Sequence, residues 1–69
     1  MEVEITRSGM ISKIAYDASE RLLTLTFNSG GAYAYKDISK EIFDGLLAAE
    51  SAGKYYHAHI KSKYDHERV

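Results

Sequence analysis

The sequence predicts an α+β domain: a three-stranded antiparallel β-meander followed by two α-helices packed on one face of the sheet. Three observations carry this. Apolar residues alternate with period two over residues 22–27, paired glycines punctuate the chain at 30–31, and from residue 42 onward the apolar spacing changes to intervals of three and four. Strands therefore come first and helices afterwards. Val3 and Ile5 offer a further short edge strand at the N-terminal side.

Ile11 to Tyr16 is the first clear strand, and Asp17-Ala18-Ser19-Glu20 has the composition of a turn. In the second strand, Leu22 to Phe27, alternation places Leu23, Leu25 and Phe27 on one face and Thr24 and Thr26 on the other. A four-residue loop at 17–20 sets Ile14 opposite Leu23, both on the apolar face. Asn28-Ser29-Gly30-Gly31 is the strongest turn signal, because glycine takes positive φ without a Cβ clash, and Ala32 to Lys36 completes the meander. Loop parity decides where Tyr33 and Tyr35 point. A loop of residues 28–31 turns both rings to the threonine face as a binding platform, whereas one residue more places them with Leu25 and Phe27. The need of a small core for large aromatic side chains favours the second arrangement.

Ser39 is the expected N-cap of the first helix, with Glu41 and Asp44 near its positive end and Ile42, Leu46 and Ala49 as its apolar stripe. Gly45 in its middle lowers helix propensity and suggests close approach to the sheet, and Gly53 reads as its C-terminal stop. Tyr56, Ile60 and Tyr64 form the stripe of a second, shorter helix capped by Ser51, with Lys54, Ala58 and Lys61 facing outward. The expected core is Ile14, Tyr16, Leu23, Leu25, Phe27, Ile42, Leu46, Ala49, Tyr56 and Ile60.

Composition bounds what such a chain can do. With 69 residues and no cysteine it makes one small domain whose stability comes from apolar burial, without disulfides or a zinc-thiolate site. No apolar run approaches the ~18 residues of a membrane span, and Met1-Glu2-Val3-Glu4-Ile5 is acidic where a signal peptide is basic. The expectation is a cytoplasmic monomer that avoids membranes. Net charge is −1, but residues 53–69 carry Lys54, Lys61, Lys63 and Arg68 against Asp65 and Glu67, and also hold His57, His59 and His66. The whole surface is thus unsuited to non-specific nucleic-acid binding, while the C-terminal part can form a local basic patch.

No catalytic constellation is present, and no cofactor or metal is expected. Two residues apart on a helix, His57 and His59 point about 160° apart, which does not suit joint metal ligation. Gly53-Lys54 resembles the end of a phosphate-binding loop, but Ala48 stands where that motif requires glycine and Tyr55 where it requires serine or threonine. Ser51, Asp44 and His57 form no recognised triad pattern.

Ser8, Ile11, Tyr16-Asp17, Leu23 to Phe27, Gly30 to Tyr35, Leu46 to Tyr56 and Ile60 fall in the order and spacing of the KTSC domain family, which the chain resembles from Ser8 to Tyr64. The Tyr33-x-Tyr35 pair and Ala49-x-Ser51-x-Gly53-Lys54-Tyr55-Tyr56 are the most specific parts of that resemblance. Met10 and Ser39 depart from it, standing where a polar residue and a proline are usual. The resemblance implies a domain over 8–64, an N-terminal segment over 1–7 and a tail over 65–69. It also implies a bacterial or phage origin, and an uncharacterised function for which RNA binding is suggested by occurrence at the C-terminus of some lysyl-tRNA synthetases. Aromatic rings that stack on bases and cations that meet phosphates are what such binding requires. Tyr33, Tyr35 and Tyr55 are the candidate stacking residues, and Lys54, Lys61, Lys63 and Arg68 the candidate phosphate contacts. The alternatives are a protein-protein interaction module docking onto a larger partner, and tyrosines that are merely core beneath solvated lysines.

Overall fold

The computed structural model describes residues 10–69 together with the backbone of residues 2–4. It contains β1 (Glu2–Glu4), β2 (Ile11–Asp17), β3 (Leu22–Phe27), β4 (Ala32–Tyr35), α1 (Lys40–Ala48), α2 (Ala52–His59) and β5 (His66–Arg68). The strands form one antiparallel sheet in sequential order, β1 to β5. The expected meander is the centre of this sheet, flanked by an additional strand at each edge. Of the expected N-terminal strand, Val3 pairs with Ile14, while Ile5, Ser8 and the remainder of residues 5–9 lie outside the described residues.

Both hairpins keep the predicted faces but shift their partners by two residues. Ile14 pairs with Leu25 and Tyr16 with Leu23, so the first loop is 18–21 rather than 17–20. Asp17 ends β2, and its Oδ1 accepts hydrogen bonds from Ser19 N–H at 3.0 Å, the Ser19 hydroxyl at 2.7 Å and Glu20 N–H at 3.3 Å. Asp17 thereby organises the turn as an Asx motif. These bonds, the Ser19 hydroxyl foremost, hold its carboxyl below the ordinary aspartate range.

In the second hairpin Leu25 pairs with Tyr33 and Leu23 with Tyr35. Phe27 N–H donates to Gly31 O at 2.8 Å, and Gly30 N–H donates to Phe27 O at 3.0 Å with Gly30 at φ 106°. The loop is therefore Asn28-Ser29-Gly30, shorter than either expected arrangement. Its parity matches the favoured one, so both tyrosines lie on the apolar face.

The sheet covers its apolar face with both helices. Its core contains Ile11, Ile14, Tyr16, Leu23, Leu25, Tyr35, Ile38, Phe43, Leu46, Ala52, Tyr56 and Ile60. Ile11 and Ile14, three residues apart, cannot share a face in a regular strand. A bulge at Ser12 makes it possible: Ile11 pairs with Phe27 and Lys13 with Thr26, leaving one extra residue on β2. Tyr16 anchors the entry to α1, stacking on Phe43 with ring centroids 4.6 Å apart and donating its hydroxyl hydrogen to Ile38 O at 2.7 Å.

Several core assignments change. Phe27 and Ile42 pack against the core but are only partly buried, and so is Ala49, because α1 ends at Ala48. Phe43, Ile38 and Ile11 are fully enclosed instead. Ser39 and Ser51 cap their helices as expected, accepting from Ile42 N–H and Lys54 N–H, each at 3.3 Å. Gly53, expected to stop the first helix, is buried inside α2, where an added Cβ would stand 3.5 Å from Met10 Cβ and Sδ. The first helix stops without glycine, through an extended Ala49 at φ −66°, ψ 143°. Gly45 accommodates Tyr55 of α2 rather than the sheet. The second stripe also narrows: Tyr56 and Ile60 are buried, whereas Tyr64 lies beyond the helix and is partly exposed.

Residues 65–69, expected to be a tail, rejoin the sheet. Tyr33 pairs with Arg68, Ala34 with Glu67 and Tyr35 with His66. Lys36 N–H donates to Asp65 O at 2.9 Å, and Val69 N–H donates to Ala32 O at 3.0 Å.

Candidate functional site

Strand alternation sorts the charges of β5. Directly paired residues share a face, so His66 and Arg68 lie on the same side as Tyr35 and Tyr33, and Glu67 lies on the other. There Glu67 pairs with Lys36 at 3.1 Å across an exposed surface. Its carboxylate is thus directed away from the tyrosine side, where the cations remain.

An aromatic groove of about 410 Å³ opens between the β3–β4 hairpin, β4–β5 and the end of α2. Tyr35 and Tyr56 form its floor, 3% and 6% exposed, with their hydroxyls joined by a short hydrogen bond. Burial, followed by this contact with Tyr56, raises the Tyr35 phenol above its ordinary range, so it remains protonated at neutral pH. Phe27 meets Tyr33 and Tyr56 edge-on, with centroids 5.8 and 5.4 Å away. His66 stacks on Tyr35 at 5.0 Å and approaches Tyr33 edge-on at 5.9 Å. His57 and Lys61 complete the rim. Among the described lining residues there is no carboxylate.

The seven candidate residues do not converge. Tyr33 and Lys61 line the groove, Tyr33 with a half-buried ring and Lys61 exposed. Tyr35 lines it only as floor, because His66 and Tyr56 cover its ring, and it is not a stacking platform. Tyr55 is directed toward Gly45 in α1 and lies tilted against His59, with centroids 4.4 Å apart. Lys54 is exposed in the first turn of α2 and is not part of the groove wall. Lys63 borders a separate depression with Lys36, Asp65 and Glu67, where two carboxylates offset the lysines. Phe27 and His57 were not expected at a site, and Arg68 reaches the Tyr33 side only because β5 forms.

Sequence comparison places this architecture. A family model for the KTSC domain matches residues 7–64. The chain belongs to the KTSC domain family. A small protein from Tsukamurella paurometabola is 39% identical to this KTSC domain over 57 residues, covering 83% of the chain and 85% of that protein. A lysine–tRNA ligase from Trichormus variabilis is 32% identical over 61 residues, which are 88% of this chain but 11% of the ligase. The crystal structure of a KTSC domain protein from Yersinia pestis superposes with a TM-score of 0.95 at 25% identity, covering all of this chain and 96% of that one. The family match ends at Tyr64, so His66 of the groove and Arg68, which pairs with Tyr33, lie outside it. No helix among the described residues is long and apolar enough to cross a membrane.

Proposed function

We propose that this KTSC domain is a non-enzymatic accessory module that binds unpaired RNA in the groove between Tyr33, His66 and Lys61. One observation carries the reading: an aromatic recess with Lys61 and Arg68 beside it and no described carboxylate in its wall. Crossed aromatic walls can also enclose a quaternary ammonium ion, but a lysine at the rim and no acid opposite it disfavour a cation. A nucleotide supplies both complementary parts, a flat base for the rings and phosphate for the cations. The likeness to part of a lysine–tRNA ligase supports the same reading as an association with a chain that handles tRNA.

Fluorescence anisotropy with a labelled single-stranded RNA at low salt tests it. Tyr33→Ala should weaken binding about tenfold, as expected for loss of one stacked base. Lys61→Ala should weaken binding and flatten its salt dependence, whereas Lys54→Ala, away from the groove, should change little. A parent protein that ignores RNA at low salt, yet retains a salt-insensitive protein partner in a ribonuclease-treated pull-down, would overturn the proposal in favour of protein docking.

A further inference from the structure

We infer that the groove takes one unpaired nucleotide together with its two flanking phosphates, so that its preferred ligand is an RNA presenting a single extruded base rather than a long extended strand. This rests on the RNA reading above and concerns only the size and form of the ligand.

Extended single strands are held by successive aromatic platforms along a continuous basic track. Here the platforms are not successive. Tyr33 is the partly exposed tyrosine of the groove, Tyr35 and Tyr56 are its buried floor, and Tyr55 is occupied between Gly45 and His59. The recess of about 410 Å³ is bounded by Phe27, His57 and His66, which gives room for one nucleotide rather than a row of bases.

The cations have the same limited extent. Lys61 stands on the groove wall after α2, and Arg68 pairs with Tyr33 on the same face of the sheet, so two positive groups accompany the ring. Among the other lysines, Lys36 pairs with Glu67 and Lys40 with Asp44, each at 3.1 Å, while Lys63 shares its depression with Asp65 and Glu67. One base and two phosphates are therefore the repeat that the groove can satisfy.

Anisotropy titrations with three kinds of labelled RNA test this: a hairpin with one bulged nucleotide, the same hairpin without the bulge, and single strands from tetramer to hexadecamer. The bulged hairpin should bind about tenfold more tightly than its perfect counterpart, the difference expected from one stacked base. Single-strand affinity should rise only in proportion to the number of registers available. The log–log salt slope should be about −1.4, two phosphates at about −0.7 each, and Arg68→Ala should reduce it to about −0.7. Lys54→Ala, exposed in the first turn of α2 and away from the groove wall, serves as the folded control and should retain the bulge preference.

Affinity that climbs with strand length faster than the register count, or a slope of about −3 or steeper, would overturn the one-nucleotide footprint while leaving RNA binding intact. Equal affinity for the two hairpins would overturn it as well. Failure of every RNA to bind would instead remove the underlying function.

Discussion

Replacing Gly45 tests how the two helices lock together. In a helix interior, Gly→Ala ordinarily stabilises by about 1 kcal/mol through propensity alone. At this position an added Cβ would overlap the Tyr55 hydroxyl and stand 2.7 Å from Cζ and 3.0 Å from Cε2. Overpacking of this kind costs about 1–3 kcal/mol, reduced to the extent that the half-buried Tyr55 ring can move away from Gly45 and His59. The two effects oppose each other, so Gly45→Ala in the parent should range from neutral to about 2 kcal/mol destabilising. In a Tyr55→Ala background the overlap disappears, and Gly45→Ala should recover about 1 kcal/mol of stabilisation. Urea unfolding followed by far-UV circular dichroism across the four proteins of this cycle gives the coupling, expected at about 1–3 kcal/mol. Tyr55→Phe removes the atom nearest the added Cβ and should show a smaller coupling. If Gly45→Ala stabilised equally in every background, Tyr55 would not occupy the space above Gly45 and the account of this glycine would be wrong.

Leu25, fully buried in the sheet centre, should cost about 2–5 kcal/mol on truncation to alanine, a large part of the stability of a domain this small, and an unchanged denaturant midpoint would contradict its place in the core. Asp17 has a carboxyl held below its usual value, so its stabilising contribution is present above the unfolded value near 3.8 and is lost as pH falls through the lower folded value. Asp17→Asn should therefore remove part of the acid dependence of the unfolding midpoint below about pH 4, and an acid limb identical to the parent's would show that the turn does not depend on this charge.

The strand alternation of Leu23, Leu25 and Phe27 was legible because one face is apolar and the other carries threonine, and this alone fixed which side the helices cover. The bulge at Ser12 left a trace that simple alternation overlooked: two isoleucines three apart in a strand require an inserted residue if both are to be buried. Gly53 exposed a conflict within the sequence itself. Ser51 as an N-cap places residue 53 inside the second helix, so the same glycine cannot also end the first one. The site was less legible than the core. β5 buries none of its residues, so it leaves no apolar period in the sequence, and its formation depends on the open edge of β4. Tyr33 and Lys61 were recognisable from residue type, but Tyr35 was removed from the set by the very parity that put both rings on the apolar face. Arg68 was recognisable as a cation, but its place beside Tyr33, like the entry of His66 beside Tyr35, came only through the β4–β5 pairing.

The sequential sheet order has a consequence for rearranging or grafting this domain. The first and last strands lie at opposite edges, four inter-strand spacings apart, or about 19 Å. A circular permutant joining the present ends would need a connector of at least about six extended residues, and longer if it is to pass around the helices. Splicing the domain into a tight hairpin loop of a host would force that loop open by the same distance. Attachment through one end leaves the opposite edge untouched, and a carrier joined ahead of β1 would stand across the sheet from the strand that bears His66 and Arg68.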